Sequence, residues 1–138
     1  MVIRVLVVDD VEDWRRSISS MLGAAPFEIT GEASDGLMAV QLAQQLQPTV
    51  VLLDIGLPGL DGLKAGAGIR RVAPDAKIVF VSQESDPDIV RAALQLGAWA
   101  YVLKSDSAQE LVEAIHTVVR GKRFVSSSLA GHGFLNGP

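Results

Sequence analysis

Residues 50–63 read Val50-Val51-Leu52-Leu53-Asp54-Ile55-Gly56-Leu57-Pro58-Gly59-Leu60-Asp61-Gly62-Leu63. The first four are apolar without a break, long enough for a strand and too short for a helix. A strand with no polar alternation is covered on both faces, as in parallel sheets flanked by helices. Asp54 closes the run, and Pro58-Gly59 and Asp61-Gly62 behind it are turn signals. This is the pattern of a strand that delivers a carboxylate to the edge of a sheet and then turns.

The sequence on either side repeats the alternation. Ile3 to Val8 is a strand, apolar apart from Arg4. Trp14, Ile18, Met21 and Leu22 follow at helical spacing. Phe27 to Thr30 is a weaker strand between Pro26 and Gly31. Ala39, Leu42, Ala43 and Leu46 mark a second helix, ended by Pro48. Beyond residue 61, Gly62 to Arg71 reads as a weak helix, since each interior glycine costs about 1 kcal/mol relative to alanine. Its first turns are expected to be short or mobile. Ile78 to Val81 is the fourth strand and Tyr101 to Leu103 the fifth. Ile89, Ala92, Ala93 and Leu96 form the stripe of the helix between them. Leu111, Ile115, Val118 and Val119 form that of the last helix, which Gly121 ends. Five strands alternating with five helices give an α/β domain, with a five-stranded parallel sheet covered on both faces. The Ser- and Gly-rich stretch 123–138 reads as a linker or tail, leaving 1–122 as the domain. Phe124 and Leu129 are the residues of that stretch able to dock.

Composition narrows the classes. The chain has 138 residues, 49% of them hydrophobic, enough for one core. Its net charge of −4 argues against a stand-alone nucleic-acid binder, which shows a basic stripe. There is no cysteine, hence no disulfide scaffold, thiolate metal site or cysteine nucleophile. No apolar run approaches the roughly 18 residues of a membrane span. A soluble, cytoplasmic domain is expected.

The polar residues at the strand ends carry the chemistry. The first strand ends in Asp9 and Asp10, the third in Asp54, the fourth in Ser82 and the fifth in Lys104. In an open parallel sheet these carboxyl ends share one edge, where ligands bind. Neighbouring carboxylates raise one another's pKa and call for positive charge. Oxygen donors without His or Cys suit a hard cation, Mg²⁺ above all. A metal, a lysine and a hydroxyl around one Asp make a phosphoryl-binding arrangement in which a carboxylate can attack phosphorus in line.

The segments VLVVDD, LLDIGLPGLDGL, VFVSQES and AYVLK, taken in order, resemble the receiver domains of two-component response regulators across about residues 2 to 122. That resemblance implies a doubly wound, flavodoxin-like fold with strand order 2-1-3-4-5. It implies that Asp54 is the phosphoacceptor. Asp9, Asp10, Asp54 and the carbonyl of Gly56 would hold Mg²⁺, Asp10 more directly and Asp9 partly through water. Ser82 would turn toward the phosphoryl group, Lys104 would pair with it, and Tyr101 would change rotamer on activation. Glu84, together with the position of Gly56, would tune the lifetime of the acyl phosphate. The partner implied is a histidine kinase, and the assembly open to the chain is a homodimer. The faces of the fourth helix, fifth strand and fifth helix would meet a partner. The domain would catalyse only its own phosphorylation and dephosphorylation.

One departure stands out: Lys104 is followed by Ser105, where many receivers carry a cis proline. The forms GAWAYVLKSD and GKRFVSSSL are similar to regulators bearing a LuxR-type helix-turn-helix. Too few residues follow for that module, so the chain is either a stand-alone receiver or, the favoured expectation, one cut in the linker, with DNA reached only through an effector domain absent here.

Other classes fit less well. An Asp-nucleophile phosphatase generally needs a second Asp where Gly56 stands. A flavin carrier would place its phosphate loop against Asp9-Asp10, which repel it. A receiver-like module that no longer uses phosphate has no need of Asp54, Ser82 and Lys104 together. Trp14 and Trp99 are expected to pack, with Trp14 close enough to Asp10 to report on the metal. His116 is expected on the last helix's surface and His132 in the tail. Two distant histidines make no metal motif.

Overall fold

The computed structural model describes residues 1–134. Strands β1 (Ile3–Val8), β2 (Phe27–Ala33), β3 (Val50–Leu53), β4 (Lys77–Ser82), β5 (Ala100–Leu103) and β6 (Phe124–Val125) alternate with helices. These are α1 (Glu12–Met21), α2 (Gly36–Leu46), α3 (Gly62–Val72), α4 (Pro87–Gln95) and α5 (Ser107–Val119). The sheet is parallel throughout, in the order β2-β1-β3-β4-β5-β6. Among the described residues no helix is long and apolar enough to cross a membrane.

Side chains of one strand alternate between the two faces, and the core divides accordingly. Ile3, Val5, Val7, Val50, Leu52, Val79 and Val81 pack with Ile18 of α1 and with Leu111, Ile115 and Val118 of α5. Leu6, Val8, Val51, Leu53, Ile78 and Phe80 pack on the other side with Ala39, Ala65, Ile69 and Val90 of α2, α3 and α4. The chain winds outward from β1 to β2, then returns past β1 to β3. Loops leaving the carboxyl ends of β1 and β3 therefore diverge, and a crevice opens between them.

Among the described residues the sheet has six strands where the sequence predicts five. The extra one is Phe124–Val125, paired with Ala100 and Tyr101 of β5. A two-residue strand has too little pattern to be legible. A short 3₁₀ helix, Ser127–His132, follows and buries Leu129. Part of the expected linker or tail thus lies on the domain, while residues 135–138 of it fall outside the described residues.

Two helices differ from expectation. In α4 the buried residues are Val90 and Ala93; of the expected stripe only Ala93 is fully buried, while Ile89, Ala92 and Leu96 are half-buried. Pro87 opens this helix and the Asp86 carboxylate accepts from the Asp88 amide, so the first turn sets which side faces β4 and β5. The helix α3 is a full eleven residues, capped by Asp61, whose carboxylate accepts from the Lys64 amide at 3.0 Å. Its glycines are sites of close approach. A Cβ on Gly68 would lie 3.0 Å from Val40, and one on Gly62 only 2.0 Å from the Asp54 carbonyl oxygen.

Candidate functional site

Four strand ends supply the crevice. It has a volume of about 330 Å³ and is lined by Asp10, Asp54, Gly56, Ser82, Glu84 and Lys104, among others. Asp9 lies beneath it, nearly inaccessible, while Asp10 is exposed at the mouth. Carboxylate oxygens of Asp9, Asp10 and Asp54 all come within 4.8 Å of one another. The acidic residues predicted from the sequence are therefore brought together, as are Ser82 and Lys104.

The backbone fixes two of these carboxylates. Asp54 Oδ1 accepts from the Ile55 amide at 2.7 Å, and Asp9 Oδ1 from the Val11 amide at 2.9 Å. Lys104 Nζ stands 2.7 Å from Asp9 Oδ2 and 3.2 Å from Asp54 Oδ2. Its side chain comes from the 3₁₀ turn Lys104–Asp106, which begins directly after β5. The Ser107 hydroxyl donates to the Lys104 carbonyl at 2.7 Å and holds that turn. The Lys104–Ser105 peptide is trans.

Electrostatics follow from burial and pairing. Burial raises the Asp9 carboxyl above its ordinary value, Lys104 and the Val11 amide draw it back, and the nearby Asp54 charge pushes it up again. Burial works against the Lys104 ammonium, but the carboxylates of Asp9 and Asp54 outweigh it and hold Lys104 above its ordinary range. Three carboxylates against one ammonium leave the crevice with an excess of negative charge. The donors are all oxygen, so the site fits a hard divalent cation.

Ser82 is buried, and its Oγ accepts from the Glu84 amide at 3.1 Å. Tyr101 is fully buried and points inward, its hydroxyl donating to the Glu84 carbonyl at 2.7 Å. Burial pushes its phenol up to about 12, with the contact to Ser82 opposing this and the charges of Glu84 and Asp54 adding to it. Tyr101 is the sole tyrosine of the chain, so its ionisation is directly readable. In the folded protein the tyrosinate absorbance is expected to rise with a midpoint near pH 12, against 10.0 for the ordinary phenol. The folded state keeps this proton longer than the unfolded one. Tyr101 therefore contributes stability in full below pH 10, and that contribution declines between pH 10 and 12. A midpoint near 10 in protein still folded by circular dichroism would contradict the burial. Tyr101→Phe should remove the absorbance change and that part of the alkaline destabilisation.

Three contributors were not singled out from the sequence. The Ile55 and Val11 amides act through backbone that no residue type reveals. Arg15 donates to the Asp9 carbonyl at 2.6 Å and pairs with Glu32 at 3.0 Å, bracing the end of β1. Trp14 does reach the site: Lys104 Nζ lies 5.0 Å from its ring centroid. His116 is half-buried, its ring 5.3 Å from that of Phe27, away from the crevice. The His132 ring lies 5.6 Å from that of Phe134, tilted by 36°.

Comparison with known proteins gives a consistent picture. Residues 5–116 match the family described as response regulator receiver domain. The transcriptional regulatory protein LiaR of Bacillus subtilis is 39% identical, over 94% of this chain and 62% of its own length. The response regulator GacA of Pseudomonas aeruginosa is also 39% identical, over 93% of this chain and 60% of its own. The chain thus spans about three fifths of the relatives it matches. The crystal structure of a LuxR-family two-component response regulator from Aurantimonas superposes with a TM-score of 0.90 at 29% identity, covering 95% of this chain and 94% of that one.

Proposed function

The chain belongs to the response regulator receiver domain family, and from that premise we propose that Asp54 is the residue on which it accepts a phosphoryl group from a histidine kinase. The observation that carries this is the placement of Lys104 between Asp9 and Asp54 in a crevice that Ser82 also lines. Asp54 ends the central apolar strand, is oriented by the Ile55 amide, and faces open space. As one of its carboxylate oxygens bonds to phosphorus, the phosphorus–nitrogen bond of the donor phosphohistidine breaks. The imidazole leaves with that electron pair and is reprotonated from solvent. Lys104, already cationic, pairs with the developing charge, and the Ser82 hydroxyl donates to a phosphoryl oxygen. Asp9, Asp10, Asp54 and the Gly56 carbonyl would hold Mg²⁺, which supplies further neutralisation of the phosphoryl oxygens. Tyr101 and Ser82 form the switch, joined through the Glu84 backbone to which both are bonded.

The domain acts only on its own aspartate and is a regulator rather than an enzyme with a separate substrate. We place the receiver at 1–122 and read 123–138 as a linker or tail, of which Phe124 and Val125 pair with β5 and Leu129 is buried on the domain. The output, by likeness to transcriptional regulators, is transcription. DNA would be met through a further effector domain, as a homodimer in the cytoplasm. The direct test is incubation with a small phosphodonor and Mg²⁺ followed by peptide mapping. Phosphate on the Asp54 peptide is the expected result; phosphate on Asp9, Asp10 or Asp61 would overturn it.

The metal assignment has its own test. The chain has two tryptophans, so Trp99→Phe leaves Trp14 as sole reporter. Mg²⁺ added to that protein is expected to change Trp14 emission, because charge entering the crevice moves Lys104 relative to the indole. Asp10→Asn should weaken the titration by roughly tenfold or more, since it removes the exposed ligand. An unchanged titration would show that the cation binds elsewhere.

A further inference from the structure

The edge of β5 is closed by the chain's own following segment, and the contacts are specific. Arg123 donates to the Ala98 carbonyl at 2.6 Å and lies 5.2 Å over the Trp99 ring. The Phe124 amide donates to the Trp99 carbonyl at 3.1 Å, and the Ser126 amide to the Tyr101 carbonyl at 2.9 Å. Ser126 is completely buried, and its Oγ accepts from the Leu103 amide at 2.8 Å. The Ser127 amide is held by the Glu110 carboxylate of α5. Leu129 is buried in the same apolar cluster as Tyr101, Leu103 and Val90.

Two of these contacts fall on residues that matter to the site. Tyr101 carries the hydroxyl that anchors Glu84 and, through it, the Ser82 loop. Leu103 immediately precedes Lys104. A strand that ended at Leu103 without a partner would leave the Leu103 amide and Tyr101 carbonyl to solvent, and would leave part of the Tyr101 surroundings open. A buried hydroxyl devoted to a single amide is costly to leave idle and marks a defined register.

We propose that residues 123–130 are a clamp that holds Tyr101 inward and so readies the phosphoryl site, with Ser126 as its positioning residue. This rests on the function proposed above. The inward Tyr101 bonds the Glu84 carbonyl and the Glu84 amide bonds Ser82, so the loop that carries Ser82 is tied to β5. Coupling is reciprocal. A phosphoryl group drawing on Ser82 tightens the clamp, and loss of the clamp lowers the readiness of Asp54. The attachment of residues 123–130 to the domain is therefore a joint whose firmness depends on the state of Asp54.

The test uses the full chain as wild type, Ser126→Ala, Leu129→Asp and Leu129→Met. Three quantities are read: the tyrosinate midpoint, the rate of phosphorylation by a small phosphodonor with Mg²⁺, and hydrogen exchange of the Leu103 and Ser126 amides with and without beryllofluoride. Ser126→Ala and Leu129→Asp are expected to move the midpoint from near 12 toward 10 and to slow phosphorylation about fivefold or more, with circular dichroism unchanged. Leu129→Met should behave as wild type. Beryllofluoride should slow exchange at both amides. Fast-exchanging segment amides combined with an unmoved midpoint and rate would overturn the clamp. Exchange indifferent to beryllofluoride in a protein that binds it would do the same. Failure of the wild type to take up phosphate, with the midpoint still shifting, would instead strike at the phosphoacceptor assignment alone.

Discussion

The Asp54→Asn chain, incubated with a phosphodonor and Mg²⁺, is expected to carry no covalent phosphate while remaining folded. The substitution is nearly isosteric. The side-chain amide keeps an oxygen to accept from the Ile55 N–H, so the end of β3 stays in place. What disappears is the nucleophile, because a neutral amide oxygen does not form a stable acyl phosphate. The neighbouring acids should not substitute. Asp9 is buried and its outer oxygen is occupied by Lys104 at 2.7 Å. Asp61 commits its carboxylate to the Lys64 amide as the cap of α3. Asp61→Asn should consequently be phosphorylated as the wild type is, and cost little stability, since Asn caps about as well as Asp. Asp9→Asn should likewise retain the acceptor. Mass spectrometry of the intact proteins decides the matter, and phosphate appearing on Asp54→Asn at wild-type level would remove Asp54 from its role.

Gly62→Ala is expected to be among the most damaging small substitutions in the molecule. The added methyl carbon would lie 2.0 Å from the Asp54 carbonyl oxygen and 2.6 Å from Ile55 Cα. Both are backbone atoms, so no side chain can rotate away. Relief requires α3 to move off the end of β3, and overpacking of this kind costs about 3 kcal/mol or more. The same change at Gly66 meets Phe80 at 3.3 Å and Leu96 at 3.4 Å, both side-chain atoms able to yield slightly. There, the helix propensity gained, about 1 kcal/mol, offsets part of the strain. Gly68→Ala falls between, with a Val40 methyl at 3.0 Å. Chemical denaturation of the three variants should give the order Gly62 worst, then Gly68, then Gly66. Equal losses at all three sites would refute the close-approach explanation. Because the obstructed atom belongs to Asp54, Gly62→Ala should also slow phosphorylation beyond what its stability accounts for.

The strands and their polar ends were legible because each strand is a short apolar run and each functional side chain directly follows one. Val50–Leu53 before Asp54 and Ile3–Val8 before Asp9 are such cases. The α3 glycines are visible in the sequence, but their reason is not. Propensity says what a residue costs an isolated helix, whereas Gly62 answers to a backbone eight positions away, across the turn that follows Asp54. The face of α4 was illegible because Ile89, Val90, Ala92, Ala93 and Leu96 are all apolar, and periodicity cannot choose among overlapping stripes. The short strand β6 was hidden for a different reason: its main contacts are backbone bonds and one serine hydroxyl, which look in sequence like any loop. Lys104 is found through its position after β5, but its simultaneous reach to Asp9, Asp54 and Trp14 is a fact of three dimensions.

The two-residue β6 also bears on how the protein behaves in concentrated solution. Without it, β5 would be the last strand, and Ala100–Leu103 carries no charge and is buried throughout its length. An open apolar edge of that kind is a template for strand addition by another chain. The cover is brief, and its outer side presents only two residues of ladder before the chain turns into the 3₁₀ helix. The opposite border, β2, carries the exposed Glu28, whose charge disfavours a second copy. The sheet is thus protected by charge on one border and by brevity on the other. Any substitution that lifts Phe124 and Val125 away exchanges a harmless border for one prone to aggregation.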